Sequence, residues 1–306
     1  MKYITLGSSN LKVPALAVGC MRLNELETKN VETLIKTALE KDANFFDHAD
    51  IYGAGECEKI FSKAISMNAT LREKMILQSK CGIHPGKMFD FSKAHILDSV
   101  DSILKRLNTD YLDILLLHRP DALMEPEEVA EAFDSLYESG KVRHFGVSNQ
   151  DQNTILLLKQ YLRQPIVANQ LQLSITNATL VSQPLNINML DEMSVDRDNG
   201  TLNFCRLNNI TIQAWSPFQY GFFEGTFIGN EKFPELNKEL NKLADKYQVS
   251  ATTIALAWIV RHPANIMPVT GTTNIQRLKD CIKALDIQLT REEWYALYLA
   301  AGHRLP

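Results

Sequence analysis

"DYLDILLLHRPDALMEPEEVAEAFDSLYESGKVRHFGVSN" (residues 110–149) joins two short apolar runs through one long amphipathic one. The first, "DYLDILLLH" (110–118), is almost continuously apolar, as a strand covered on both faces should be. The middle, "EPEEVAEAFDSLYESG", opens with acids and closes at Gly140, which suits a helix dipole and a glycine C-cap. The last, "VRHFGVSN" (142–149), returns to strand character. Strand, helix and strand in that order make a parallel pair crossed over by a helix.

The same unit repeats outward in both directions. Upstream lie "ALAVGC" (15–20) with a helix over 28–41, "NFFDHA" with a helix near 56–66, and "KMILQSKCG" (74–82) with a helix over 92–107. Downstream, 142–149 precedes a helix over 151–162, and "PIVANQLQLS" (165–174) precedes a less regular region. "NITIQAWSPF" (209–218) precedes a helix over 234–248, and "NIMPVTG" (265–271) precedes one over 274–285. Eight such units in succession predict α/β architecture as a closed (β/α)8 TIM barrel. Extra C-terminal helices are expected over 249–262 and 290–302, and "KYITLGSSNLKVP" reads as an N-terminal β-hairpin able to plug the barrel bottom. No linker, repeat or low-complexity segment interrupts the chain, so residues 1–306 are expected to form one domain. The irregular stretches 176–205 and 219–233 are long for connecting loops.

Composition narrows the function classes. The chain has 306 residues, 45% hydrophobic and 22% charged, with a formal net charge of −4. That balance offers no electrostatic footprint for nucleic acid or an acidic membrane surface. The start lacks the basic-then-apolar layout of a signal peptide, and the long apolar run "ATTIALAWIV" spans ten residues, about half a membrane crossing. Five scattered cysteines without a Cys-x-x-Cys pair fit reduced thiols, so a cytoplasmic protein is expected.

In such a barrel, chemistry sits where the strands end at their C-terminal side. Those ends are polar after apolar strands: Gly19-Cys20-Met21, Asp47 to Tyr52, Lys80, His118, Ser148-Asn149, Asn169-Gln170, Trp215-Ser216 and Gly271-Thr272. They converge a phenol, an ammonium, a carboxylate and an imidazole. A phenol with a pKa near ~10 is a poor proton donor to a carbonyl at neutral pH. The Lys80 ammonium would lower that pKa, Asp47 would keep Lys80 charged, and His118 would hydrogen-bond the same oxygen. Such an arrangement suits proton transfer during carbonyl reduction, for which a bound cofactor must bring the hydride.

"FFDHADIYG", "LQSKCG", "LLLHRPD", "GKVRHFGVSN", "NQLQLS" and "AWSPF" together resemble the aldo-keto reductase superfamily, in order from about residue 10 to 285. "HRPD" and "DHADIYG" are similar to a bacterial branch of predicted oxidoreductases within it. The resemblance implies a barrel that binds extended NADPH without a Rossmann fold, with NADH the lesser partner. It implies a catalytic tetrad of Asp47, Tyr52, Lys80 and His118, with Tyr52 as general acid/base. For the cofactor it implies Ser148, Asn149 and Gln170 (or its neighbour Asn169) at the carboxamide, and Trp215 stacked on the nicotinamide. Ser216, Pro217 and Phe218 follow the pyrophosphate, with Gly19, Cys20 and Met21 at the first strand end. Gly271, Thr272, Thr273 and Arg277 match the 2′-phosphate segment, although Gly271 stands where one common pattern has lysine. The substrate cup is expected from Met21, Tyr52, His118 and Trp215, with Phe218 or Tyr220, under a lid made by 219–233.

Other readings stay open beside this one. An NADPH-binding redox-sensing subunit with little turnover would keep the same motifs. A metal centre from His48, Asp50, His84, His118 and His144 is disfavoured, because "DHAD" lacks a His-x-His pair and alternation turns His48 and His144 outward. "YGAGECE" has Glu58 where a dinucleotide fingerprint needs its third glycine. Arg119 is read first as an ion-pair partner of Asp121 and second as a contact for an anionic substrate. A small-molecule carbonyl substrate is the expected partner; its identity and the oligomeric state are open.

Overall fold

The structure is a computed structural model that describes all 306 residues. A hairpin comes first, β1 (Tyr3–Thr5) against β2 (Lys12–Pro14). Then follow β3 (Ala17–Gly19), α1 (Thr28–Glu40), β4 (Phe45–Asp47), α2 (Glu56–Ala64), α3 (Ala69–Arg72) and β5 (Ile76–Cys81). A second hairpin, β6 (Ile83–His84) and β7 (Met88–Phe89), precedes α4 (Lys93–Leu107), β8 (Leu112–Leu117), α5 (Pro126–Glu138), β9 (Val142–Ser148) and α6 (Gln152–Tyr161). Next come β10 (Ile166–Gln172), α7 (Thr179–Leu185), α8 (Thr201–Leu207) and β11 (Thr211–Trp215). The chain ends through a third hairpin, β12 (Gln219–Tyr220) and β13 (Gly225–Thr226), then α9 (Pro234–Tyr247), α10 (Ala251–Val260), β14 (Met267–Thr270), α11 (Ile275–Lys283) and α12 (Arg291–Ala300).

Eight parallel strands close in the order β3, β4, β5, β8, β9, β10, β11, β14 and back to β3. The predicted barrel, its hairpin and the extra helices α10 and α12 are all present. The stretch 176–205 departs from the expected irregularity, since α7 lies within it and α8 begins there. Asparagine and glutamine dilute its apolar pattern, and Pro184 sits inside α7, so periodicity could not reveal these helices.

Local chemistry sets the element boundaries. Ser92, Asp151, Ser250 and Asn274 accept a first-turn backbone N–H with their side chains, and Thr290 with Glu293 forms a capping box. Pro126 and Pro234 occupy first helical positions, where the missing N–H has no intrahelical partner to lose.

Two apolar layers stabilise the barrel. The inner one fills its lower half with eleven buried residues, including Ala17, Phe45, Ile76, Ile114, Leu116, Val167 and Met267. Leu6 and Val13 of the hairpin segment belong to this same cluster, so the hairpin plugs the bottom. The outer layer packs the strands against the helix ring. With the lower half filled by hydrocarbon, a polar cavity can open only at the upper end, where the strands terminate. No helix is long and apolar enough to cross a membrane.

Candidate active site

Strand β5 alternates, so Gln78 and Lys80 point into the barrel while Ser79 and Cys81 face the helices. Lys80 is fully buried. Its ammonium donates to the Asp47 carboxylate at 2.8 Å, the His48 carbonyl at 2.7 Å and the Tyr52 hydroxyl at 3.2 Å. All three protons are thus used, and the lysine has no rotational freedom left.

The short loop after β4 carries Tyr52 to this point. His48 and Asp50 donate their backbone N–H to the carbonyls of Gln78 and Lys80, which extends the β4–β5 pairing past the strand end. The chain then turns through left-handed Gly53, Ala54 and Gly55 into α2. A Cβ on Gly55 would lie 2.9 Å from the Arg106 side chain, so only glycine fits this turn. The glycines of "YGAGECE" therefore serve a tight turn. They are not a phosphate loop.

Beneath the tetrad lies a floor of amides, of which the sequence had singled out only Gln170. Gln78 and Gln213 exchange hydrogen bonds at 2.8 Å in both directions. Gln78 and Gln170 each donate to Asp47, at 2.6 and 3.1 Å, and Gln170 also donates to Gln213 at 2.9 Å. Asp47 therefore has both oxygens occupied, which fixes it as an acceptor for Lys80. The signal was available as lone glutamines inside the apolar strands "ILQSKC" and "TIQAW".

Electrostatics follow from this geometry. Burial works to lower the Lys80 pKa, but Asp47 and Tyr52 together outweigh it and hold the group above its usual value. Burial raises Tyr52 above an ordinary phenol, with Lys80 opposing. This corrects the expectation of a lowered pKa: desolvation of the phenolate outweighs the ammonium's attraction. Burial, then Lys80 and Arg119, push His118 well below an ordinary imidazole, so it is neutral at pH 7. Its ring meets Tyr52 edge-on at 6.1 Å.

A cavity of about 1080 Å³ opens over these groups, at the upper end of the range for ligand sites. Asp47, Tyr52 and His118 form one end of it. Ser148, Asn149, Gln170 and Trp215 line its middle, with Ser216, Pro217 and Phe218 beside them. Gly19 and Met21 line it beside Asp47, the register partner of Gly19, and Gly271, Thr272, Thr273 and Arg277 line it beyond β14. Cys20 does not reach the cavity; its buried thiol turns back toward the Val18 carbonyl at 3.6 Å. Asn169 likewise turns outward, to the Gln150 carbonyl at 2.8 Å, which leaves Gln170 as the inward amide.

The middle group is already linked. Asn149 Nδ2 donates to Ser148 Oγ at 2.8 Å, Ser148 Oγ donates to the Gln170 carbonyl at 2.9 Å, and the Trp215 indole N–H donates to Asn149 Oδ1 at 3.1 Å. Asn149 and Ser216 hold left-handed backbone (φ 57 and 52), strain of a kind concentrated at ligand sites. These residues present amide and hydroxyl groups beside an indole face, a set that fits a nicotinamide carboxamide and ring. Beyond β14, Arg277 lies in the first turn of α11, so a guanidinium and helix-start amides fit a phosphate there.

Two further expectations fail on contact with the structure, those for Tyr220 and for Arg119. Tyr220 does not line the cavity; it packs on Phe233 at 5.0 Å. Phe222 and Phe223 of the same segment take its place, with Phe223 stacked on Trp215 at 5.8 Å. Arg119 does not pair with Asp121, because both Asp121 oxygens accept backbone N–H groups, from Phe91 and Leu123, each at 2.9 Å. The five residues weighed as a metal centre are not assembled: His48 packs on Phe61 at 4.6 Å, outside the barrel. A different trio, His84, Asp90 and His95, brings its donor atoms within 4.8 Å of one another, but none of the three lines the cavity. Cys81 is buried, and desolvation holds its thiol well above the usual range, so it is inert packing.

Comparison with known proteins agrees with this geometry. The family model "Aldo/keto reductase family" matches residues 15–298. The uncharacterized oxidoreductase YcsN of Bacillus subtilis is 37% identical over 98% of both chains. A 6-dehydroglucose reductase of Novosphingobium aromaticivorans is 33% identical over 98% of this chain and 96% of its own. The crystal structure of an aldo/keto reductase from Klebsiella pneumoniae, in complex with NADP and acetate, superposes with a TM-score of 0.74. It is 24% identical and covers 97% of this chain and 94% of its own.

Proposed function

The chain belongs to the aldo/keto reductase family, and on that footing we propose that it reduces an aldehyde or ketone to an alcohol with NADPH. The bound nicotinamide supplies the hydride. The remaining work belongs to the chain. Tyr52 delivers a proton to the carbonyl oxygen as negative charge develops there. Lys80 stabilises the phenolate that results, and Asp47 holds Lys80 charged throughout. Neutral His118 directs the carbonyl toward Tyr52 with a ring N–H.

One observation carries this reading: a fully buried lysine whose three hydrogen bonds go to a carboxylate, a carbonyl and the hydroxyl of Tyr52 at 3.2 Å. A phenol raised by burial and countered by an ammonium is suited to give up its proton only when charge builds on a neighbouring oxygen. The same wiring favours turnover over a sensor that binds NADPH without reacting.

Ser148, Asn149 and Gln170 would hold the carboxamide, Trp215 the ring face, and Thr272, Thr273 and Arg277 the 2′-phosphate. A structural neighbour solved with NADP supports the choice of dinucleotide. The relative named 6-dehydroglucose reductase supports a small carbonyl substrate. Five free, buried thiols suit a reducing compartment and the cytoplasm.

Replacing Tyr52 with Phe tests the mechanism. The expected result is a fall of about 10²–10⁴ in kcat with a panel of aldehydes, the range for removing a general acid. NADPH binding, followed by quenching of Trp215 fluorescence, should persist. Undiminished turnover in that variant would sink the proposed proton path.

A further inference from the structure

The cations at the cavity fall into two groups. Arg277 sits in α11, directly after β14, and Arg22 follows β3, the neighbour of β14, where it donates to the Gly271 carbonyl at 2.9 Å. Arg119 follows His118 at the end of β8, and β8 lies diametrically across the closed barrel from β14. It therefore belongs to the wall opposite the phosphate-binding end. A charge placed there has no cofactor phosphate to meet.

Arg119 has no anion within the protein either. It takes part in no ion pair and no hydrogen bond, and the acid two positions on is committed to backbone N–H groups. The phenol of Tyr52 is the one acidic group whose field it feels, while its half-buried setting removes it partly from water. The guanidinium lies over the rings of Trp215, at 5.5 Å, and Phe222, at 5.9 Å. Those contacts use its charge but leave the five N–H donors, which lie in the guanidinium plane, free toward the cavity. The lining of the same cavity includes the apolar Ile51, Ile83, Phe89, Pro120 and Phe223. A partly desolvated cation without an anion is unfavourable on its own and becomes favourable once a carboxylate arrives.

We propose that Arg119 forms an anion subsite, so that the substrate is an aldehyde or ketone carrying a carboxylate beyond an apolar spacer. The proposal rests on the reading of the site as a carbonyl reductase. A carboxylate is favoured over a phosphate dianion because one guanidinium stands alone here. The only other nearby cation, Lys80, is sealed under Tyr52 with every proton used. The planar fork of Arg119 matches two carboxylate oxygens, and the Trp215 and Phe222 rings beside it, at 5.5 and 5.9 Å, confine the head group.

The test compares 4-carboxybenzaldehyde with 4-methylbenzaldehyde, substrates of nearly equal shape, under NADPH. The measured quantity is the ratio of their kcat/KM values in the unmodified enzyme, in Arg119→Met and in Arg119→Lys. The unmodified enzyme should favour the carboxylate. Arg119→Met should reduce that ratio by about 10–100-fold, mostly through KM, the size of one charge-assisted hydrogen-bonded contact. Arg119→Lys should restore part of it, and NADPH quenching of tryptophan fluorescence shows that each variant is folded. A ratio that does not favour the carboxylate, or that is the same in Arg119→Met, overturns the subsite while leaving the reductase reading intact. Failure of the unmodified enzyme to reduce either aldehyde overturns both.

Discussion

Ser79 and Lys80 are neighbours on β5, and they end in two buried ionic clusters on opposite faces of one strand. Inside the barrel, Lys80 joins Asp47 and Tyr52. Outside, Ser79 donates to Glu58 of α2 at 2.8 Å, and Arg106 of α4 donates to the same carboxylate at 2.6 Å. Glu58 is as thoroughly buried as Lys80. Burial raises its pKa while Arg106 opposes, much as Tyr52 is raised while Lys80 opposes. Perturbed titration therefore does not separate the two clusters.

Their partners do. Arg106 cannot give up a proton at any pH the protein survives, and α2 and α4 close the outer cluster from the cavity. In the inner cluster the third partner is a phenol at the cavity wall, which can release its proton toward a ligand. One arrangement braces two helices against a strand. The other is the proposed proton path. What turns a buried ion pair into a catalytic one is an open side and a partner that can titrate.

Two substitutions press this comparison hardest. Lys80→Met should lower kcat by about 10²–10⁴ while NADPH still quenches tryptophan fluorescence. Arg106→Met should leave kcat within a few-fold yet lower the stability measured by urea unfolding by about 3–5 kcal/mol, because Glu58 would stay buried without its cation. Should Arg106→Met abolish kcat at unchanged stability, the outer cluster would have to be counted as part of the reaction.

A smaller effect separates the groups at the edge of the outer cluster. Burial and Glu58 push Asp50 up to about 7, so the folded protein keeps a proton between pH 3.8 and about 7 that the unfolded chain has lost. Stability from this group therefore falls as pH rises through that window and is level above it. Burial pushes His48 down to about 3, so between about 3 and 6.5 only the unfolded chain binds its proton, and stability falls as pH drops. In the unmodified protein the two slopes oppose each other over the shared range. Asp50→Asn should expose the histidine slope, so that urea stability rises with pH from about 4 to 6.5 by up to ~1.4 kcal/mol per unit. A pH profile identical to that of the unmodified protein would mean that Asp50 does not hold the extra proton.

Much of this was legible in the sequence. The strand–helix alternation gave the barrel, and the polar ends of β4, β5 and β8 marked Asp47, Tyr52, Lys80 and His118. The β6–β7 hairpin was not legible, because two-residue strands leave no period to detect. The amide floor was half legible: Gln78 and Gln213 stand out as lone amides in apolar strands, but that they meet Gln170 is decided only on closure. Cys20 shows the limit at a strand end: being next to an inward residue does not make a side chain inward.

By itself the sequence determined the order of the eight barrel strands, most of the helices between them and which chemical groups stand at the strand ends. These depend on residues within a few positions of one another. Only the tertiary structure decided that Tyr52 is raised and not lowered, that Arg119 has no acid partner, and that β5 separates the Lys80 cluster at the cavity from a brace between helices. Desolvation and ion pairing depend on what distant segments bring to within a few ångströms, and barrel closure alone determines that.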